Sequence, residues 1–255
     1  MSLYFELLQK PIFSVEDVAD RYEKISGARS AIKSLVRQGM AVKIRNNMYT
    51  CISGETGNPV ANRFQIASSI TSTSYVTHHS ALEYYGVTDQ VFHEVYVASW
   101  KPFSEFDFNG YSFRYVHSLH LDGVETPLMS GNIRITDKER TLIDCINDMD
   151  KIGGIEEVLA CISNLKKLRE GHLLQYLAMY GNQFLYQKAG YLLAKNQKIL
   201  GLSDEFFKTC LEKIGKSKRY LSSDYKNGKY DSTWQLVIPE AIYSMKNGEI
   251  ENGVL

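Results

Sequence analysis

Excess charge, paired cysteines and long apolar runs are all missing from this chain, and each absence removes a class of protein. Lys plus Arg equals Asp plus Glu at 29 each, so no overall field draws the molecule toward nucleic acid, and attraction to phosphate has to come from local clustering. The four cysteines, Cys51, Cys145, Cys161 and Cys210, lack the close spacing that closes a zinc site or a redox loop. They are expected reduced and mostly buried. No stretch approaches the roughly 18 apolar residues of a membrane span. The opening MSLYFELLQK has no basic region followed by an apolar run and a cleavage site, so a cytoplasmic location is expected. There is no Walker-type or dinucleotide glycine loop, no long internal repeat and no low-complexity tract.

What is present is enough apolar residue for a core, 44% of 255 residues, and one concentrated charge feature. Lys24, Arg29, Lys33, Arg37, Lys43 and Arg45 follow one another with no acid between Glu23 and Glu55. Just upstream, Ser14 with Asp17 three residues later forms a helix-start pattern, and Val15, Val18, Ala19 and Tyr22 recur at helical spacing. Ser26 is placed to cap a second helix that buries Ala28, Ala31, Ile32, Leu35 and Val36 and stops at Gly39. Its other face repeats Arg29, Lys33 and Arg37 beside Ser30 and Ser34. In AVKIRNNMYTCI, apolar and basic residues alternate around Asn46 and Asn47, which predicts a tight hairpin with both asparagines in the turn. Helix, helix and basic hairpin within about fifty residues predict a winged helix-turn-helix, whose recognition helix enters the major groove while wing cations hold phosphates. The expected contacts are Arg29 and Ser30 at base edges or backbone, Lys33 and Arg37 on flanking phosphates, and Lys43, Arg45, Asn46 and Asn47 on the wing.

The polar run GETGNP, 54–59, reads as a linker. The expected organisation is α+β: a winged helix-turn-helix over 1–53, then a larger mixed domain over 60–255 that ends in a helical bundle. Within it a helix carries Val60, Phe64, Ala67 and Ile70. SYVTHHSALEYYGV predicts a strand and a helix stopped at Gly86, and Asn109-Gly110 between aromatic runs predicts a hairpin. NIRITDKERTLIDCI predicts a strand over Ile133 to Ile135 and a helix opened by Thr136 with Glu139. Four apolar-striped segments between 155 and 215 predict helices, and the last forty residues predict an irregular wrap with a short strand near Trp234 to Ile238. Lys208, Lys213, Lys216, Lys218, Arg219, Lys226 and Lys229 form a second basic cluster, suited to a solvated helix end, to further DNA contact or to an acidic face on a toxin.

YVTHHSALEYYGV, IRITDKERTLIDCI and the wing-like VKIRNNMYTC together resemble the antitoxins of the AbiEi type, from abortive-infection (type IV toxin-antitoxin) systems. The resemblance implies a transcriptional repressor that binds inverted repeats in its own promoter and counteracts a nucleotidyltransferase-like toxin in phage defence, with no catalysis and no cofactor of its own. It places the family's basic recognition face on Arg29, Lys33 and Arg37.

Catalytic and metal readings find little to stand on. His78 and His79 are adjacent and point apart, and His117 and His120 have no third ligand at a supporting spacing, so no metal is expected. A nuclease would need an acid followed by Glu-x-Lys on a strand, and neither Glu94 nor Asp107 has a lysine two residues on. A two-domain regulator whose second domain senses a small ligand stays open as the alternative, since 17 Tyr offer pocket-lining surface.

Overall fold

In the computed structural model, which describes residues 2–88, 90–222 and 227–247, the chain begins with a short helix, α1 (Leu3–Leu7), that buries Leu7. Ser14 is not the hydroxyl cap that its spacing from Asp17 predicts: its N–H and hydroxyl both donate to the Asp17 carboxylate, at 2.8 and 2.9 Å, and the cap position falls to Val15, with no side-chain bond. The helix it introduces, α2 (Glu16–Ala19), is a single turn that buries Val18. Tyr22 lies beyond it and is 36% exposed. In α3 (Ile25–Arg37) the cap position falls to Lys24 rather than Ser26, which sits inside the first turn. The helix buries Ala28, Ile32 and Leu35, a stripe narrower than expected because Val36 faces out. Gly39, at φ +72°, ends it: the Met40 and Gly39 N–H groups reach Leu35 O and Val36 O at 3.0 and 3.1 Å, the paired bonds of a left-handed glycine cap.

β1 (Ala41–Arg45) and β2 (Met48–Cys51) form the hairpin, with Arg45 opposite Met48. Of the two turn residues, Asn47 alone takes a left-handed angle, φ +54°, so the turn differs from the doubly left-handed form expected of an Asn pair. Leu7, Phe13, Val18, Ala28, Ile32, Leu35, Ala41 and Cys51 make the core of this module. The run 54–59 is no tether. Ser53 N–H bonds Asn58 O, Gly57 N–H bonds Ser53 O and Val60 N–H bonds Cys51 O, at 2.9, 2.8 and 2.9 Å, and Ile52 bridges Pro59.

Asn62 and Gln65 cap α4 (Arg63–Ser69) reciprocally, three residues later than the helix start read at Val60. Next come β3 (Tyr75–Val76), α5 (His78–Tyr84), β4 (Glu94–Ser99), β5 (Phe106–Phe108), β6 (Tyr111–His117), β7 (Val124–Glu125) and β8 (Ile135–Thr136). These strands form one six-stranded sheet in the order β5-β6-β4-β3-β8-β7. Asn109 and Gly110, at φ +49° and +81°, turn β5 into β6 as their sequence predicts.

A run of helices follows: α6 (Lys138–Asn147), α7 (Ile155–Asn164), α8 (Glu170–Tyr180), α9 (Gln183–Ala194), α10 (Gln197–Leu200) and α11 (Asp204–Lys213). The cap of α6 is Asp137, whose carboxylate accepts from Arg140 N–H at 2.7 Å, and not Thr136; the Thr136 hydroxyl is instead held by Thr141, 2.7 Å away. One of the four apolar-striped segments read as helices, 184–200, breaks at Lys195 and Asn196 into α9 and α10. A small sheet of β9 (Arg219–Tyr220), β10 (Lys229–Asp231) and β11 (Leu236–Ile238) precedes α12 (Glu240–Asn247). The architecture is α+β.

By contacts the chain divides into two units. One holds the residues up to Val76 with Phe92–His120 and Val124–Ile135; the other holds Thr77–Val91, Leu121–Gly123 and the chain from Thr136 onward. The division therefore falls elsewhere than 54–59, and the winged module shares its unit with most of the large sheet. All four cysteines are free and buried. Among the described residues no helix is long and apolar enough to cross a membrane.

Candidate nucleic-acid interface

The amphipathic pattern of α3 turns Arg29, Ser30, Lys33 and Arg37 outward, and all four are exposed, as is Lys43 on β1. Among the described residues Lys33, Arg37 and Lys43 make no ion pair. The Ser30 hydroxyl is already used inside the helix, donating to Ser26 O at 2.9 Å. Arg29 and Lys33 share a cleft of about 360 Å³ with Val15, Glu16, Asn46, Asn47 and Tyr49. The fold thus brings four of the expected contact residues, Arg29, Lys33, Asn46 and Asn47, together between helix and hairpin turn. Arg37 lies at the far end of α3.

Two wing residues have other occupations. The Asn47 side chain accepts from Val15 N–H at 3.0 Å and donates to Glu16 Oε2 at 2.6 Å. Arg45 is half-buried, with its guanidinium 5.0 Å from the Phe106 ring centroid and 5.7 Å from that of Phe103. Sequence reading missed these partners because Phe103 and Phe106 lie more than fifty positions away. It also missed Glu16, the one acid in the cleft. The Asn47 hydrogen bond is the main cause holding the Glu16 carboxyl below its ordinary value, with Arg29 contributing, so a fixed negative charge sits beside the cations.

A second charged assembly belongs to the other unit. The Asp137 carboxylate receives Tyr176 OH at 2.7 Å and Arg169 Nη2 at 3.0 Å, and Arg169 also reaches Glu139 at 2.6 Å. His172 Nδ1 stands 3.4 Å from Asp137. Asp137, Glu139 and His172 could converge on a metal ion, their nearest ligand atoms lying within 4.8 Å. The Arg169 guanidinium, however, already lies between the two carboxylates as their cation. Deeper in α6, Arg140 and Asp144 pair at 2.7 Å with side chains only 1% and 2% exposed. Tyr180 OH and Thr77 OH donate to Asp144 at 2.6 and 2.9 Å, and Arg140 donates to Asp122 O at 2.7 Å. The segment DKERTLIDC is thus built around buried charges, not only around the caps and apolar stripe that its pattern suggests.

The C-terminal basic cluster has partial partners, Lys208 with Glu205 at 3.4 Å and Lys229 with Glu240 at 3.8 Å. Lys226 lies outside the described residues.

No protein-family model matches the chain, and no curated protein matches it. Among solved structures it is similar to the crystal structure of the RV2827C protein from Mycobacterium tuberculosis, with a TM-score of 0.66 and 14% identity over 97% of this chain and 94% of that one. At that identity the likeness establishes the fold alone.

Proposed function

We propose that this chain is a duplex-DNA-binding transcriptional repressor that acts in the cytoplasm without catalysis and doubles as the antitoxin of a toxin-antitoxin pair. The observation carrying the DNA reading is the clustering of Arg29 and Lys33 with the hairpin turn on one cleft, with Arg37 and Lys43 also exposed, in a molecule of zero net charge. Local cations of this kind bind phosphate by releasing counterions. The antitoxin role, opposing a nucleotidyltransferase-like toxin, rests on the resemblance of the segments around Thr77 and Arg140 to AbiEi-type antitoxins.

The test is a mobility-shift titration of the full chain on its own promoter DNA at several salt concentrations. Lys33→Ala and Lys43→Ala are each expected to weaken binding and to lower the salt slope by about one unit. A wild-type chain that shifts no duplex at low salt would sink the reading. For the second role, full-length Lys33→Ala is co-expressed with the product of the neighbouring gene. Growth rescue equal to wild type is expected, and failure of the wild-type chain to rescue from a demonstrably toxic neighbour would remove it.

A further inference from the structure

The hairpin turn is pinned on both sides. On one, Asn47 presents its carbonyl to Val15 N–H and its amide to Glu16. On the other, Arg45 lies over Phe106 and Phe103, and Phe106 stacks face to face on the buried Phe113 of β6, with centroids 4.7 Å apart and planes at 8°. A guanidinium free to meet phosphate would be solvated. Here Nη1 of Arg45 is buried and makes no hydrogen bond among the described residues, and its neighbours are ring faces, the arrangement of a cation–π contact. Each anchor lies on a separate element, α2 for one and the edge of the large sheet for the other, and both belong to the same unit as the wing.

From this geometry we infer that Arg45 and Asn47 are positioning residues that preset the wing, leaving Lys43 and Asn46 as the wing's own contacts with DNA. The inference rests on the DNA-binding reading and deepens it. A wing held in place before encounter loses little conformational freedom on binding, which favours affinity without adding a contact. Removing an anchor therefore weakens binding through wing disorder while the number of released counterions stays the same.

The test combines a measurement on the free protein with one on the complex. In the free wild-type chain, the Arg45 Nε–H resonance is expected to be shifted upfield by ring currents and to return toward the usual position in Phe106→Leu; an unshifted wild-type resonance would overturn the anchor. In salt titrations, Arg45→Met and Phe106→Leu are each expected to bind about three- to tenfold more weakly with the wild-type slope, and the double variant no more weakly than the weaker single. A slope lower by about one in Arg45→Met, with additive losses in the double variant, would make Arg45 a phosphate contact. For the other anchor, Asn47→Asp should weaken binding by facing Glu16 with a second carboxylate. Adding Glu16→Gln should restore it by exchanging donor and acceptor, and no recovery would overturn the role of Asn47. Thermal melts of each variant confirm that the fold persists. A wild-type chain that binds no duplex removes the DNA reading and this role together, whereas a shifted Arg45 resonance identifies the anchor whatever the DNA result.

Discussion

Arg169 supplies the charge that two buried carboxylates need, and its loss should be felt. In Arg169→Met the Asp137 and Glu139 groups stay buried without their cation. Because the Arg169 side chain is 54% exposed, solvent screens the pair and the expected cost is about 2 kcal/mol, below that of a fully buried pair. Burial pushes the Glu139 carboxyl up, but the Arg169 hydrogen bonds outweigh it and the group ends below its ordinary 4.5. The associated stability is thus present above about pH 4.5 and lost as pH falls through the lower native value. Urea denaturation at pH 7 and pH 3.5 should show the gap between wild type and variant closing at the acid end. Lys188 behaves oppositely. It is buried, donates to Asn147 O at 2.7 Å, and burial holds its pKa down to about 8 from 10.5. Between those values the unfolded chain binds more protons, so the native state gains stability as pH rises from 8 toward 10.5. Relative to Lys188→Met, wild type should gain on the order of 3 kcal/mol across that window, and parallel denaturation curves at pH 8 and 10.5 would refute it. Neither group stood out in the sequence: a lysine on an apolar helix reads as a solvated residue until its neighbours are known.

At the scale of elements, local chemistry was legible and distant chemistry was not. Gly39, Gly86 and Asn109-Gly110 each act through bonds or angles within a few residues, and each does what its spacing predicts. One misreading is itself local: Thr136 and Asp137 are adjacent and both suit a helix cap, and Thr141, five residues on in α6, engages the Thr136 hydroxyl and leaves the cap to Asp137. The outward basic face of α3 could be read from helical periodicity, whereas the true partners of Arg45 and Asn47 depended on elements folding together. Gly190, in the middle of α9, is a further case. A Cβ there would lie 2.0 Å from the Trp234 ring, so the helix keeps a poor helix former because an indole covers it. Gly190→Ala, which ordinarily stabilises a helix, is expected to destabilise this protein by more than about 2 kcal/mol. A variant melting at or above wild type would show that the ring moves aside freely.

For the molecule as a whole, zero net charge confines any nucleic-acid attraction to where cations gather, and composition alone says nothing of that place. Nor did composition reveal how the chain is shared. The path passes back and forth between the two units, so the polar run 54–59, the most obvious break in the sequence, is not a domain border. A fragment ending at Val76 would leave β3 without either neighbour, β4 or β8. It is expected to melt without a cooperative transition by circular dichroism, and a sharp melt like that of the intact chain would show that the N-terminal part needs no completed sheet. The closed turn over 54–59 also has a hydrodynamic consequence. With Ser53, Cys51 and their partners stitched at both ends of the bend, the N-terminal module has no swivel, so nitrogen relaxation at Asn46 and at Tyr96 should report one common tumbling time, and any protein that grips the sheet would slow that module by the same factor.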